Sequence, residues 1–243
     1  MAPDTGAAYQ RLTIVMPVYN EAATLRRAVE RLLAVDMPLP TELVIVDDGS
    51  RDGCTELIAD LVDGDRVRLV RQEPNQGKGR ALVRGFAEAR GDLLTILDAD
   101  LEYDPADIPL LCAPALRGEA RVVYGARSYG GHAAYSFWFV IGNKLVAYWA
   151  SMLFDAWLTD VETCLKLAPR DTWRELGITS SGFGIEAEVT GKLLARGERI
   201  FEVPISYTAR GREEGKKIQW TDGVEALWIL ARIRLRSRRT SPR

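Results

Sequence analysis

Asp92-Leu93-Leu94-Thr95-Ile96-Leu97-Asp98-Ala99-Asp100-Leu101-Glu102-Tyr103-Asp104 is the stretch on which the reading of this chain turns. Leu93, Leu94, Ile96 and Leu97 form a short run that is apolar on both faces, as in a strand buried inside an α/β sheet. The polarity then breaks at Asp98. Residues two apart in extended chain point to one side, so Asp98, Asp100 and Glu102 are placed to offer oxygens to one point beyond the strand's carboxyl end. Open α/β sheets bind ligands there. Crowded carboxylates repel unless a hard cation neutralises them, and Mg²⁺ or Mn²⁺ does so while keeping positions open for phosphate. A metal and diphosphate site is one reading; a solvated acidic loop capping a helix from Pro105 is the other.

Working outward, the chain alternates strands with helices. Leu12 to Met16 is an apolar run ending in Pro17-Val18-Tyr19-Asn20-Glu21, and Leu25, Ala28, Val29, Leu32 and Leu33 follow at helical spacing, with Asn20 the expected cap. Leu43 to Val46 stops at Asp47-Asp48-Gly49-Ser50, and Cys54 to Leu61 reads as a helix. An acid in the position of Asp47 accepts hydrogen bonds from ribose hydroxyls or a base N–H in nucleotide-binding α/β folds. The same residues also make an ordinary Asp-Gly-Ser turn. After a strand at Val67 to Val70, Asn75-Gln76-Gly77-Lys78-Gly79-Arg80 opens a helix through Leu82, Phe86 and Ala89. Glycines and a lysine at a helix start predict a phosphate cradle. Walker spacing is absent, which excludes a P-loop NTPase. A helix over Pro105 to Leu116 and a strand over Arg121 to Tyr124 lead to Gly125-Ala126-Arg127, where Arg127 is either a functional cation or half of a surface ion pair.

The second half changes character. From Tyr135 to Leu158, Trp138, Ile141, Leu145, Tyr148, Trp149 and Met152 keep helical spacing, a stripe suited to a core or to a membrane interface. Residues 160–168 return to a strand-like pattern, Gly184 to Leu194 reads as a helix, and Arg199 to Tyr207 as a strand that Pro204 assigns to an edge or bulge. The charged segment from Thr208 to Lys217 is a loop able to close over a polyanion, or a plain solvated one. Thr221 is the expected cap of a last helix with a stripe of Val224, Leu227, Trp228, Ala231 and Leu235.

Composition narrows the function. The chain has 243 residues, enough for one substantial α/β domain, and 47% hydrophobic against 27% charged residues places it among globular proteins. Three scattered cysteines form neither a zinc site nor a disulfide framework, which points to a reducing compartment. His132 is the only histidine, and no nucleophile motif accompanies it, so a Ser-His-Asp or Cys-His mechanism is not supported. Neither a signal peptide nor a span of roughly 18 apolar residues is present, and a cytosolic chain is expected. The net charge of -2 conceals Arg232, Arg234, Arg236, Arg238 and Arg239 near the C-terminus, a site for an anionic partner. No nucleic-acid partner is expected, and the oligomeric state is not legible.

Taken together, Pro17-Val18-Tyr19-Asn20-Glu21, Asp47-Asp48-Gly49-Ser50, Asn75-Gln76-Gly77-Lys78-Gly79, Asp98-Ala99-Asp100 and Gly125-Ala126-Arg127 occur in the order and spacing of family 2 glycosyltransferases with the GT-A fold. The chain most resembles the dolichyl- or polyprenyl-phosphate hexosyltransferases of that family, and Asp160 to Lys166, Glu202 to Tyr207 and Glu214 to Ile218 extend the likeness to about Leu12 to Arg234. The resemblance implies one α/β domain of the GT-A fold, a mixed and mostly parallel sheet flanked by helices, with amphipathic helices toward the C-terminus and with 135–158 and 221–239 as membrane-surface helices. It implies that Pro17, Tyr19 and Glu21 line the nucleotide pocket with Asp47, Asp48, Lys78 and Ala99, and that Asp98, Asp100 and Glu102 hold Mg²⁺ or Mn²⁺. Arg127 would bind the acceptor phosphate and Arg210 the donor diphosphate. One departure from the pattern is that residues 128–142 contain no Arg or Lys, so a second basic contact to the acceptor falls to Lys144.

The implied reaction is inverting transfer of a hexose from a nucleotide-diphosphate sugar to a polyprenyl phosphate, at the inner face of the cytoplasmic membrane. A phosphate monoester has a second pKa of about 6 and needs no general base. Rival readings are transfer to a soluble sugar hydroxyl, with Asp160 or Glu186 as base, and a nucleotide-sugar-binding module without catalysis.

Overall fold

The computed structural model describes residues 9–127, 137–182, 184–209 and 220–240, with the side chains of 138, 139, 220 and 238–240 left out. In chain order the elements are β1 (Leu12–Val18), α1 (Leu25–Leu33), β2 (Thr41–Asp47), β3 (Val67–Arg71), α2 (Lys78–Glu88), β4 (Leu93–Ile96), α3 (Ile108–Leu116) and β5 (Val122–Ala126). There follow α4 (Phe137–Phe154), β6 (Lys166–Pro169), α5 (Arg170–Glu175), α6 (Ile185–Ala195), β7 (Ile200–Pro204) and α7 (Trp220–Thr240). The strands form one sheet in the order β3-β2-β1-β4-β6-β5-β7, parallel except that β6 runs against both its neighbours. β1, β2 and β4 are buried almost throughout because helices cover both faces, so they read as continuous apolar runs.

β1 and β4 are neighbours although β2 and β3 intervene in sequence. The sheet therefore grows one way from β1 through β2 and β3, then the other way from β4. Their carboxyl ends lie side by side at this switch in strand order, the place where ligands bind in open α/β sheets.

Several local expectations give way to side-chain competition. Cys54 to Leu61 holds only a 3₁₀ turn, Glu56–Ile58. On either side Asp52 accepts from the Cys54 N–H and Asp63 from those of Asp65 and Val67, which offers the backbone an alternative to a helix. Asn20 does not cap α1. It sits at φ 54, its side chain accepts from the Arg51 N–H, and Thr24 precedes the helix. Thr221 lies inside α7 rather than capping it. Of residues 160–168 only the last three belong to a strand, β6, because Lys166 Nζ gathers the carbonyls of Val161 and Thr163 around itself. Pro204 ends β7, which is the sheet edge, as expected of a residue with no N–H to give.

A second apolar cluster joins Val146, Ala147 and Ala150 of α4 to Ala187 of α6 and to Ala226 and Leu230 of α7. Small residues at the contact let these helices approach closely. Several large ones point away: Ile141, Leu145, Tyr148 and Met152 of α4, and Val224, Trp228 and Leu235 of α7, are exposed. Most of the α4 stripe is thus an outer face, whereas Trp149, expected in the same stripe, packs inward on this cluster and donates from Nε1 to the Leu227 carbonyl. Among the described residues no helix is long and apolar enough to cross a membrane.

Candidate active site at the switch between β1 and β4

A cavity of about 340 Å³ opens at the switch point. The exit of β1 contributes Pro17, Val18, Tyr19 and Glu21, and the exit of β4 contributes Asp98, Ala99, Asp100, Glu102 and Tyr103. Asp48 comes from the end of β2, Lys78 from the start of α2, Arg127 from the end of β5, and Glu162, Cys164, Glu186 and Tyr207 complete the far side. The cavity therefore collects most of the residues expected from sequence. Asp47 and Lys144 are not among its lining. Arg210, the loop from Gly211 to Lys217, and His132 lie outside the described residues.

Asp47 follows the turn reading: its Oδ1 accepts from the Ser50 N–H at 2.9 Å. Asp48 faces the other way and accepts from the N–H groups of Gln76 (2.8 Å) and Gly77 (2.7 Å) and from Gln72 Nε2 (2.6 Å). The amides that would cradle a phosphate are thus spent on the protein's own carboxylate, and Gly79 N–H donates to the Ser181 carbonyl at 2.8 Å. The glycines serve a different end. A Cβ on Gly77 would stand 2.3 Å from the Ser181 carbonyl oxygen, and one on Gly79 2.0 Å from that of Ser180. They are required by the close passage of residues 180–181, so the expected phosphate cradle is corrected to a packing contact.

Lys78 nevertheless reaches the cavity by its side chain. Nζ lies 2.9 Å from Asp98 Oδ2 and 3.1 Å from Glu186 Oε1. Burial works against its charge, yet Asp98 and then Glu186 outweigh it and hold the ammonium well above its ordinary range. Asp100 Oδ1 accepts from the Glu102 N–H at 3.0 Å, and Tyr207 OH donates to Glu102 Oε2 at 2.6 Å. The three carboxylates share one cavity wall and offer only oxygen, the donor Mg²⁺ and Mn²⁺ prefer. As the side chains stand, Asp98 is turned to Lys78 and Glu102 to Tyr207, and among the described residues no three acidic, Cys or His groups are gathered tightly enough to hold an ion.

Arg127 is not half of a surface pair. It is buried and forked onto Asp160, Nε to Oδ2 at 2.7 Å and Nη2 to Oδ1 at 2.8 Å, while its guanidinium lies 5.0 Å from the Tyr207 ring centre. Asp160 also accepts from the Arg127 N–H and from Asn143 Nδ2. Burial opposes both charges, but each outweighs it for the other: the arginine stays well above its usual range and the carboxylate falls below its own. Fully buried Lys166 pairs with Glu186 at 2.9 Å, and that carboxylate, despite burial, is likewise held low by Lys166 and then Lys78. The two acids considered as bases for a hydroxyl acceptor are therefore already committed to cations. Sequence reasoning missed the interlock, as it missed Glu162, Tyr103 and Tyr207. A lysine inside the apolar run Leu165 to Leu167 was the available sign that buried carboxylates waited nearby.

The family described as glycosyl transferase family 2 matches residues 13–163, and the chain belongs to that family. A dolichol-phosphate mannosyltransferase of Mycosarcoma maydis is 31% identical over 216 residues, which cover 84% of this chain and 72% of that protein. An undecaprenyl-phosphate 4-deoxy-4-formamido-L-arabinose transferase of Aeromonas hydrophila is 41% identical over 111 residues, 44% of this chain and only 34% of the relative, so the match spans about a third of that curated protein. Among solved structures, glucosyl-3-phosphoglycerate synthase from Mycobacterium tuberculosis, crystallised with Mn²⁺, UDP and glucosyl-3-phosphoglycerate, superposes with a TM-score of 0.67 at 22% identity, covering 96% of this chain and 81% of that one. Mannosyl-3-phosphoglycerate synthase from Rubrobacter xylanophilus gives 0.68 at 19% identity, covering 95% and 74%. At such identities the likeness establishes the fold, which is the GT-A fold expected from the motifs.

Proposed function

We propose that the protein transfers a hexose, with inversion, from a nucleotide-diphosphate sugar to a polyprenyl phosphate. The observation that carries this reading is the meeting of Asp98, Asp100, Lys78 and Arg127 in one cavity at the switch point. Lys78 answers the donor diphosphate and Arg127 the acceptor phosphate, while Pro17, Tyr19, Glu21 and Asp48 border the nucleotide. Arg210, from the loop after Tyr207, is assigned to the diphosphate as well. A divalent metal, Mg²⁺ or Mn²⁺, would be held by Asp100 with Asp98 or Glu102 and would neutralise the leaving diphosphate.

The chain's own residues favour an acceptor that arrives ionised. A phosphate monoester is largely dianionic at pH 7, its second pKa being about 6, and asks for alignment rather than proton removal. The fork on Asp160 fixes the plane of Arg127 before any ligand arrives, so the attacking oxygen meets a preset donor. With Asp160 and Glu186 both paired, neither is ready to take a proton from a hydroxyl acceptor. The relatives named for dolichol phosphate and undecaprenyl phosphate support the same class of acceptor.

The exposed apolar residues of α4 and α7, beside Arg232 and Arg236, are assigned to the membrane surface where such an acceptor resides, on the cytoplasmic side. Arginines near anionic lipid contribute about 1 kcal/mol each. The test is incubation with radiolabelled nucleotide sugars, a divalent metal and membranes. Label in an organic-extractable, mild-acid-labile lipid is expected; label in a water-soluble glycan, or binding without turnover, contradicts the proposal.

A further inference from the structure

Charges around the far side of the cavity come in pairs. Arg127 faces Asp160, Lys166 faces Glu186, and Lys78 faces Asp98 while also touching Glu186. Glu162 is the fourth carboxyl of this group and has no such partner. It lines the cavity, and its Oε1 is sealed from solvent with no hydrogen-bond partner among the described residues. Its backbone is not loose: Lys166 Nζ holds the carbonyls of Val161 and Thr163 on either side. An unpaired carboxyl on a fixed backbone at a cavity wall calls for a cause, and a ligand that meets the edge of the carboxyl not sealed from the cavity supplies one.

The chemistry of that ligand follows from the surroundings. A phosphate would be repelled by the carboxylate, and a further cation would join three that already stand in the region. A hydroxyl donates and accepts, so it pairs with a carboxyl in either protonation state. Burial, and then the Glu186 charge, push the Glu162 carboxyl up to about 7, so both states are present near neutrality. In the donor reading above, the carbon being transferred must lie between the diphosphate at Lys78 and the acceptor phosphate at Arg127. Glu162 lines the cavity with Arg127 and stands two residues from Asp160, the partner of that arginine, so the hydroxyls that come within its reach are then those of the hexose rather than the ribose.

We propose that Glu162 binds a hydroxyl of the donor hexose and is a determinant of which sugar the cavity accepts. The inference rests on the donor reading, and the test separates the two. Binding of a nucleoside diphosphate and of its matching nucleotide hexose is measured by calorimetry with Mn²⁺ for the parent protein, Glu162→Ala and the isosteric Glu162→Gln, using UDP with UDP-glucose and GDP with GDP-mannose. The hexose is expected to add affinity in the parent, and Glu162→Ala to lose about tenfold of that increment while nucleoside diphosphate affinity stays within twofold. Glu162→Gln should retain part of it and tolerate epimeric sugars better. Equal weakening of both ligands would make Glu162 structural, unchanged binding would remove it from the site, and a fall in kcat alone would make it a base; each overturns the inference. A parent that binds the nucleoside diphosphate without gain from the sugar also overturns it but leaves the nucleotide site standing. A parent that binds neither overturns the donor reading itself.

Discussion

On the wall of the cavity that leaves β4, Asp100 and Glu102 are half-buried, and their carboxylates meet a backbone N–H and a tyrosine hydroxyl. On the wall from β5, β6 and α6, Asp160, Glu186, Lys166 and Arg127 are buried and meet one another as full charges. The first arrangement can exchange partners at small cost when a ligand arrives. The second cannot, because a charge stripped of its partner in a dry site has nowhere to find another. One wall is therefore suited to bind and release, and the other to hold Arg127 still.

The contrast is broken most sharply by Asp160→Ala, which should cost about 3–5 kcal/mol of unfolding free energy in denaturant melts, since Arg127 is left buried and unpaired. A loss below about 1 kcal/mol would show that the interlock is not dry. Glu188, also on α6, accepts from the backbone of Thr179 and Ser180 behind Gly77 and Gly79. Although burial works against it, bonds from Lys192 and from Ser180 and Thr179 lower its pKa from 4.5 to about 2. A depressed carboxylate contributes stability that is fully present above its unfolded pKa and is lost as pH falls through the folded one. The parent should thus lose up to roughly 3 kcal/mol between about pH 4.5 and 2 from this group, and Glu188→Gln should flatten that part of the stability profile. An unchanged slope would contradict the assignment.

On the adaptable wall the order of effects reverses. Asp100→Ala should lower turnover about 100-fold or more yet cost less stability than Asp160→Ala, because its carboxylate is half-buried rather than sealed. Melting and activity measured on one preparation check both parts. The smallest effect is expected at the surface: Arg232→Gln with Arg236→Gln should leave stability within about 0.5 kcal/mol and reduce recovery on anionic vesicles at low salt, a difference that fades as salt screens it. Equal recovery at low salt would detach α7 from the membrane.

The same division governs what could be read from the chain. β1, β2 and β4 announce themselves through local runs such as Leu43 to Val46, and the site on their ends through the polarity break at Asp98, because both signals sit within a few consecutive residues. The interlock is made of partners far apart in sequence, Arg127 with Asp160 and Lys166 with Glu186, and no periodicity records such pairings. The family likeness implied a mixed sheet, but that β6 is the strand running against its neighbours was hidden for the same reason. Gly77 and Gly79 misled because a glycine needed for a passing backbone and one needed for a phosphate look alike. The α4 stripe shows a further limit: helical spacing reveals that Ile141, Leu145, Tyr148 and Met152 share a face, not whether that face is covered.

The crevice between the exits of β1 and β4 is proposed to receive the donor diphosphate. A crystal structure with UDP or GDP and Mn²⁺ tests it most directly. The nucleotide is expected between Pro17–Tyr19 and Asp98–Asp100, with Asp100 on the ion and Lys78 turned from Asp98 to the diphosphate. Nucleotide bound elsewhere, with the Lys78 to Asp98 pair unmoved, would contradict it.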